Sequence, residues 1–293
     1  MSARHPNDFV PDAPSYFRAL TSDGVSSPPP GLRKAKGKKP LAKRPHTTTA
    51  PIDWEIPRKT LHSSIGFLTL WLYTSQGSPR NVVVVLSAGL AVIIPVDILR
   101  LRSPRFERLF ERSVGFLMRE SEKRSSNGVI WYMLGVVFVL SVYPLDIAVV
   151  SIMILSWADT AASTIGRLWG SRTPSLPARM PIIPLPLAPR KSVAGFAAAA
   201  ITGACIAVGF WGWIVPLYST INSWHWPAAA MLGGQAPDTT GAWVGLSVLG
   251  VVSGLVSGIA EALDLGSLDD NLTLPIISGG CLWGFFKLVG FFS

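Results

Sequence analysis

Cysteine is nearly absent: the 293 residues hold two, Cys205 and Cys281. Both lie in apolar runs, which excludes a disulfide framework or zinc site and predicts buried, unpaired thiols. Histidine is equally sparse, and the four histidines show no metal-ligand spacing. Charge is thin, with 15% Asp, Glu, Lys and Arg. There is no Walker A loop, and no kinase glycine-rich loop with a His-Arg-Asp partner, so a phosphotransferase here would be of neither common kind. The first sixty residues contain no apolar core segment, so no signal peptide is expected.

What the chain does have is apolar length. Hydrophobic residues make up 49% of it and mean hydropathy is +0.39, the profile of a polytopic membrane protein. Apolar runs at 60–74, 81–99, 128–143, 146–168, 193–217, 242–262 and 273–292 approach the roughly 20 residues that a crossing needs, the first and third being short. Phe106, Leu109, Phe110, Val114, Leu117 and Met118 repeat at helical spacing among Arg and Glu, which predicts an interfacial amphipathic helix and not a span. The expected fold is an all-α polytopic membrane helix bundle, with about seven transmembrane helices and one interfacial helix.

Residues 1–54 differ in kind. They are rich in Pro, Ser, Lys and Thr, with the run Pro28-Pro29-Pro30, and predict a disordered basic tail ahead of a transmembrane domain over 55–293. Much of the net charge of +9 sits there, on Arg33, Lys34, Lys36, Lys38, Lys39, Lys43 and Arg44. A membrane protein offers such a cluster an anionic lipid surface, attractive by about 1 kcal/mol per basic residue. A plain solvated tail is the alternative, and nucleic acid is not expected as a partner.

If the tail is cytoplasmic, the Arg-rich stretches 100–124 and 167–191 fall on the same side. The opposite loops, 75–80, 143–144 and 218–240, then hold one Arg and no Lys, as the positive-inside rule requires. Two small-residue stripes, Gly250/Gly254/Gly258 and Gly195/Ala199/Gly203/Ala207, are suited to close helix packing in lipid.

The segment 156–167 breaks this apolar pattern with an Asp, several hydroxyls and an Arg. On a helix, Asp159, Ser163 and Arg167 share one face at successive i+4 steps. Asp159 lies nine residues before Leu168, roughly 13 Å deep at 1.5 Å per residue. An ionisable group at that depth points to function. With the expected topology the other unusual polar residues gather towards the same side: Arg58, Lys59 and His62; Asp97 and Arg100; Glu120 and Glu122; Arg190, Lys191 and Ser192; Glu261; and Asp269, Asp270 and Asn271. Basic groups can hold phosphates, and clustered carboxylates can hold Mg²⁺ or Ca²⁺. Each also has a plainer reading. Arg58 and Lys59 suit interfacial anchors, Glu122 a solvated loop, and Asp269-Asp270-Asn271 a helix cap.

Taken together, these pieces resemble the CTP-dependent lipid kinase family, which includes dolichol kinases, phytol kinases and fungal diacylglycerol kinases. The resemblance runs over about 55–290. It rests on Arg58-Lys59-x-x-His62 with Gly66, Arg119-x-x-Glu122 with Asn127-Gly128, and Ala158-Asp159-Thr160-x-Ala162-x-x-x-Gly166-Arg167. Arg190-Lys191-Ser192-x-x-Gly195, and Glu261 with Asp269-Asp270-Asn271-Leu272-Thr273-x-Pro275, complete it. The 127–135 run and the Asp-Asp-Asn resemble the diacylglycerol branch most; Ala158 departs from a Gly common among relatives.

The resemblance implies transfer of the CTP γ-phosphoryl group to diacylglycerol, with Mg²⁺ or Ca²⁺ as the divalent cation. It implies catalytic roles for Asp159, Lys191, Arg167 and Glu122. Nucleotide contacts would come from Arg58, Lys59, His62, Arg190, Ser192 and Asn271, and metal ligation from Asp159, Asp270 and Glu261. It further implies an endoplasmic reticulum or nuclear envelope location, with the N-terminus and site facing the cytoplasm. A phosphatidate cytidylyltransferase, a kinase of another lipid alcohol, and a transporter stay open as alternatives.

Overall fold

Helix starts coincide with residues that cap a helix or fit only its first turn. Pro57 and Pro79 sit in the first turns of α1 (Ile56–Thr74) and α2 (Pro79–Arg102), where the missing N–H costs nothing. Asn127 accepts from the Val129 N–H at the start of α4 (Gly128–Val142), and Ser192 accepts from the Gly195 N–H at the start of α7 (Val193–Gly209). Between them come α3 (Pro104–Val114), α5 (Leu145–Met153) and α6 (Asp159–Trp169); α8 (Val215–Tyr218), α9 (Thr239–Ala262) and α10 (Asp270–Phe291) complete the order. The structure, a computed structural model, describes residues 55–115, 118, 125–180, 184–218, 222–225, 239–266 and 268–291. The tail 1–54 and Arg119, Glu120 and Glu122 lie outside the described residues.

Each apolar run found in the sequence is helical over its described residues, save Tyr143 just past the end of α4. Among the described residues, five helices are long and apolar enough to cross a membrane: Pro79–Arg102, Leu145–Arg172, Val193–Tyr218, Gly241–Ala262 and Asp270–Phe291. The two runs that fall short, α1 and α4, are those whose apolar stretches are short in the sequence. The expected amphipathic helix 106–118 begins earlier, as α3, and none of its residues is buried. Its Phe110 ring lies 5.8 Å from the Arg100 guanidinium, within cation–π reach.

The segment 145–172 is the axis of the bundle: 72% of its apolar window is buried, against at most 39% for the other four spans. At its start Asp146 is buried and accepts from Trp211 Nε1 (3.1 Å), the Ser223 N–H (2.7 Å) and Ser223 Oγ (2.7 Å). A buried carboxylate needs such donors, and they tie 222–225 to the bundle end opposite Asp159.

α7 and α9 cross closely through the small-residue stripes. A Cβ on Gly254 would sit 2.8 Å from the Ala200 carbonyl, and one on Gly203 would collide with Ser257. Ser253 and Ser257 donate to the Gly203 and Ala199 carbonyls at 3.1 and 3.0 Å. Gly203→Leu is therefore expected to destabilise the bundle by about 1–3 kcal/mol through overpacking, read as a lower melting temperature in detergent. An unchanged melt would show that the crossing is not tight.

One expectation is corrected. Cys205 and Cys281 are unpaired, but both are exposed. In a membrane bundle an apolar run faces lipid as readily as core, so apolar surroundings in sequence did not mean burial.

Candidate active site

The site begins with a change of helical register. The Asp159 N–H donates to the Ile154 carbonyl, five residues back, across a π-type turn at Ile154–Ala158. Such turns commonly accompany functional sites. The Leu155 carbonyl is thereby released from the Asp159 amide, and His62 Nε2 donates to it at 2.8 Å. This contact brings His62 Nε2 to 3.7 Å from Asp159 Oδ2. Gly66, one turn further along α1, permits the approach: a Cβ there would press into the Trp157 indole, whose Nε1 donates to the Ser63 carbonyl at 3.0 Å. Lys59 Nζ donates to Thr164 Oγ1 at 3.3 Å, and Ser63 Oγ to Thr160 Oγ1 at 3.2 Å. α1 is thus sewn along the polar face of α6.

Beside Asp159 opens a cavity of about 770 Å³, bounded by α6, the 173–192 loop, the start of α7 and the facing ends of α9 and α10. Asp159, Ser163 and Arg167 line it at the i+4 spacing expected from the sequence. The loop adds Arg190, Lys191 and Ser192, α9 adds Glu261, and α10 adds Asp270. The loop is pinned by backbone bonds from the Leu176 N–H to the Lys191 carbonyl (2.9 Å) and from the Ala188 N–H to the Ala262 carbonyl (2.9 Å). These fix Lys191 opposite the acidic pair. Its Nζ donates to Glu261 Oε1 at 3.1 Å, to Asp270 Oδ2 at 3.2 Å and to the Glu261 carbonyl. Burial works against the Lys191 charge, but Glu261 and Asp270 outweigh it and hold the ammonium above its ordinary range.

The other sequence-derived candidates divide. Arg167 and Arg58 both bind Glu55, at 2.7 and 2.6 Å, so two guanidiniums converge on one carboxylate. Arg58, His62 and Asn271 line a second, mainly apolar cavity and not the polar one. Ser192 lines the polar cavity while capping α7. Asn271 Nδ2 donates to the Gly128 carbonyl at 3.4 Å and ties α10 to α4. Asp269 caps α10 by accepting from the Asn271 N–H at 2.9 Å, while Asp270 faces Lys191. Asp97 and Arg100 form a buried latch: Arg100 donates to Asp97 Oδ1 at 2.8 Å and to the Ser125 carbonyl at 2.6 Å. Glu122 lies outside the described residues.

Comparison with known proteins gives this arrangement a family. CTP-dependent diacylglycerol kinase 1 of Saccharomyces cerevisiae is 39% identical over 224 residues, 76% of this chain and 71% of that protein. The protein of the same name from Schizosaccharomyces pombe is 38% identical over 231 residues, 78% of this chain and 92% of its own. The chain belongs to the CTP-dependent diacylglycerol kinase family. A third relative of that name, from Eremothecium gossypii, is 41% identical over 224 residues, 76% of this chain; the match spans 65% of that relative's length. No family model and no solved structure matches the chain.

For a diacylglycerol kinase relative, the donor set must be tested against a divalent cation. Among the described residues no three His, Cys, Asp or Glu side chains converge closely enough to hold an ion alone. The cavity nevertheless presents Asp159, Glu261 and Asp270, and Glu261 Oε2 is buried without a hydrogen-bond partner. Mg²⁺ is usually held by one or two carboxylates together with substrate phosphates, so this set fits an ion shared with a nucleotide.

Sequence reasoning missed Glu55, and it missed the contacts that Thr164, Tyr132 and Ser156 make. The Tyr132 hydroxyl and Ser156 Oγ are hydrogen-bonded at 2.9 Å, and the Tyr132 ring meets His62 edge-on at 4.9 Å. Each is an ordinary residue in its own segment, and its place depends on contacts between helices far apart in sequence.

Proposed function

We propose that the chain transfers the γ-phosphoryl group of CTP to the free hydroxyl of diacylglycerol, giving phosphatidate and CDP. One observation carries this reading: Asp159 lines a polar cavity of about 770 Å³ that also presents Arg167, Arg190 and Lys191, and it stands 3.7 Å from His62, which lines an apolar cavity opening among α1, α2 and α4. Phosphoryl transfer asks for positioning and charge stabilisation more than for covalent chemistry. Arg167, Arg190 and Lys191 supply positive charge at the polar cavity. Asp159 lies within reach of both cavities, so it can accept the proton of the acceptor hydroxyl or join a divalent cation shared with the phosphates. The ion, when bound, would be held by one or two carboxylates from among Asp159, Asp270 and Glu261, shared with phosphate oxygens whose charge it would neutralise.

The positive-inside pattern supports seven crossings, with the site and basic tail on the cytoplasmic side, where CTP is available and the tail meets anionic lipid. The family resemblance supports the endoplasmic reticulum or nuclear envelope.

The test is purified protein with γ-labelled CTP and a panel of lipid alcohols comprising diacylglycerol, dolichol and phytol. Label is expected in phosphatidate, with CDP released and ATP a weaker donor. Pyrophosphate release with cytidine carried onto lipid would place the attack at the α-phosphate and overturn the kinase reading.

A further inference from the structure

α1 leans on α5 and α6, and α2 leans on α4. Between these two pairs a slot is left. It is seen as two cavities, of about 330 and 250 Å³, that share Thr69, Leu72, Val82 and Val136. Leu61, Ile65, Leu68 and Leu72 line one wall at helical spacing along α1, and Met133 and Val136 face them from α4. One end carries Arg58, His62, Asn127 and Asn271; the other reaches Gln76 and Ser78. From His62 to the end of α1 at Thr74 the helix rises about 18 Å, more than the roughly 15 Å depth of one leaflet's hydrocarbon.

We infer that this slot holds one acyl chain of the acceptor diacylglycerol and delivers its hydroxyl past His62 to Asp159. The inference rests on the kinase reading of the site. Continuity with the site is the first support, since His62 lines the slot and stands 3.7 Å from Asp159, which lines the polar cavity. Polarity is the second. Arg58 at the slot's head is ion-paired with Glu55 at 2.6 Å, and beside it stand two amides, an imidazole and the Tyr132 phenol. That end offers hydrogen bonds to ester carbonyls and a hydroxyl, while Arg167 and Arg190 line the polar cavity where the phosphates would lie. Access is the third. α2 has only 11% of its apolar window buried, so the helix that walls the slot is itself open to the bilayer from which a lipid would enter.

The experiment fills the slot at mid-depth with Val136→Trp and compares dioleoyl with dihexanoyl diacylglycerol in mixed micelles. Val92→Trp, on the lipid-exposed face of α2, serves as control. Val136→Trp should raise the apparent KM for the dioleoyl lipid roughly tenfold, with the dihexanoyl lipid and CTP within about twofold of wild type. In parallel, wild type labelled with a diacylglycerol bearing a photoreactive acyl chain should crosslink within 61–72 and 129–140. That labelling decides the matter even if the variant fails to fold. Equal loss on both lipids, or crosslinks confined to outer faces such as that of Val92, overturns the slot while leaving the kinase reading intact. If wild type phosphorylates neither lipid with CTP, the kinase reading fails and the slot assignment with it.

Discussion

Asp159→Asn is expected to fold like the parent and lose about 10³-fold or more in phosphorylation of diacylglycerol, a loss in the range that removal of an acid–base or metal-binding group produces. The fold should survive because Asn keeps the shape of the side chain. The contacts that seat α1 also do not use the carboxylate: the Leu155 carbonyl accepts from His62, and Trp157 donates to Ser63. The side chain is 17% exposed, so the variant leaves no sealed polar void. What is lost is the negative charge between the polar cavity and the lipid slot. The measurement is initial rate with saturating CTP, alongside a detergent melting curve and CTP binding. A folded Asp159→Asn protein with near-normal turnover would remove Asp159 from the mechanism, whatever its position.

The helices were legible because the bilayer imposes a length on them, and Pro, Ser and Arg mark their ends. The run at 128–143 became Gly128–Val142, and that at 193–217 became the continuous span Val193–Tyr218 that α7 and α8 share. The shared face of Asp159, Ser163 and Arg167 was legible because it depends only on 3.6-residue periodicity within one helix. The π-type turn before Asp159 was not, since a shift from i−4 to i−5 hydrogen bonding leaves no trace in composition. It emerges from the seat it gives His62. The division of polar residues between two cavities was also hidden. A sequence shows which residues share a helix face, and not which helices stand apart, as α1 and α4 do across the slot. Glu55 was invisible for a different reason. It lies at the edge of the polar tail, and its value comes from two guanidiniums 3 and 112 positions away. The exposed thiols follow the same logic, because hydropathy does not distinguish lipid from protein interior.

Lys191→Met should be the most damaging single change in the polar cavity, through stability and activity together. Lys191 Nζ stands between Glu261 Oε1 and Asp270 Oδ2, while Glu261 Oε2 is already buried without a partner. Removing the ammonium leaves a buried carboxylate uncompensated, a change that costs about 3 kcal/mol or more when one partner of a buried pair is deleted. Restoring the original local net charge separates the two effects. Lys191→Met with Glu261→Gln should regain much of the lost melting temperature, because a neutral amide then replaces the uncompensated buried carboxylate. It should not regain turnover, because the cavity still lacks the cation facing the phosphates. The pH dependence follows from the same geometry. The folded-state pKa of Lys191 is raised, so its contribution to stability is complete below its unfolded value of about 10.4 and disappears only as pH rises through the higher folded value. No loss of stability from this group is expected between about pH 6 and 9, well below that range. Full recovery of diacylglycerol phosphorylation in the double variant would show that Lys191 serves the fold alone and that the phosphates are held elsewhere.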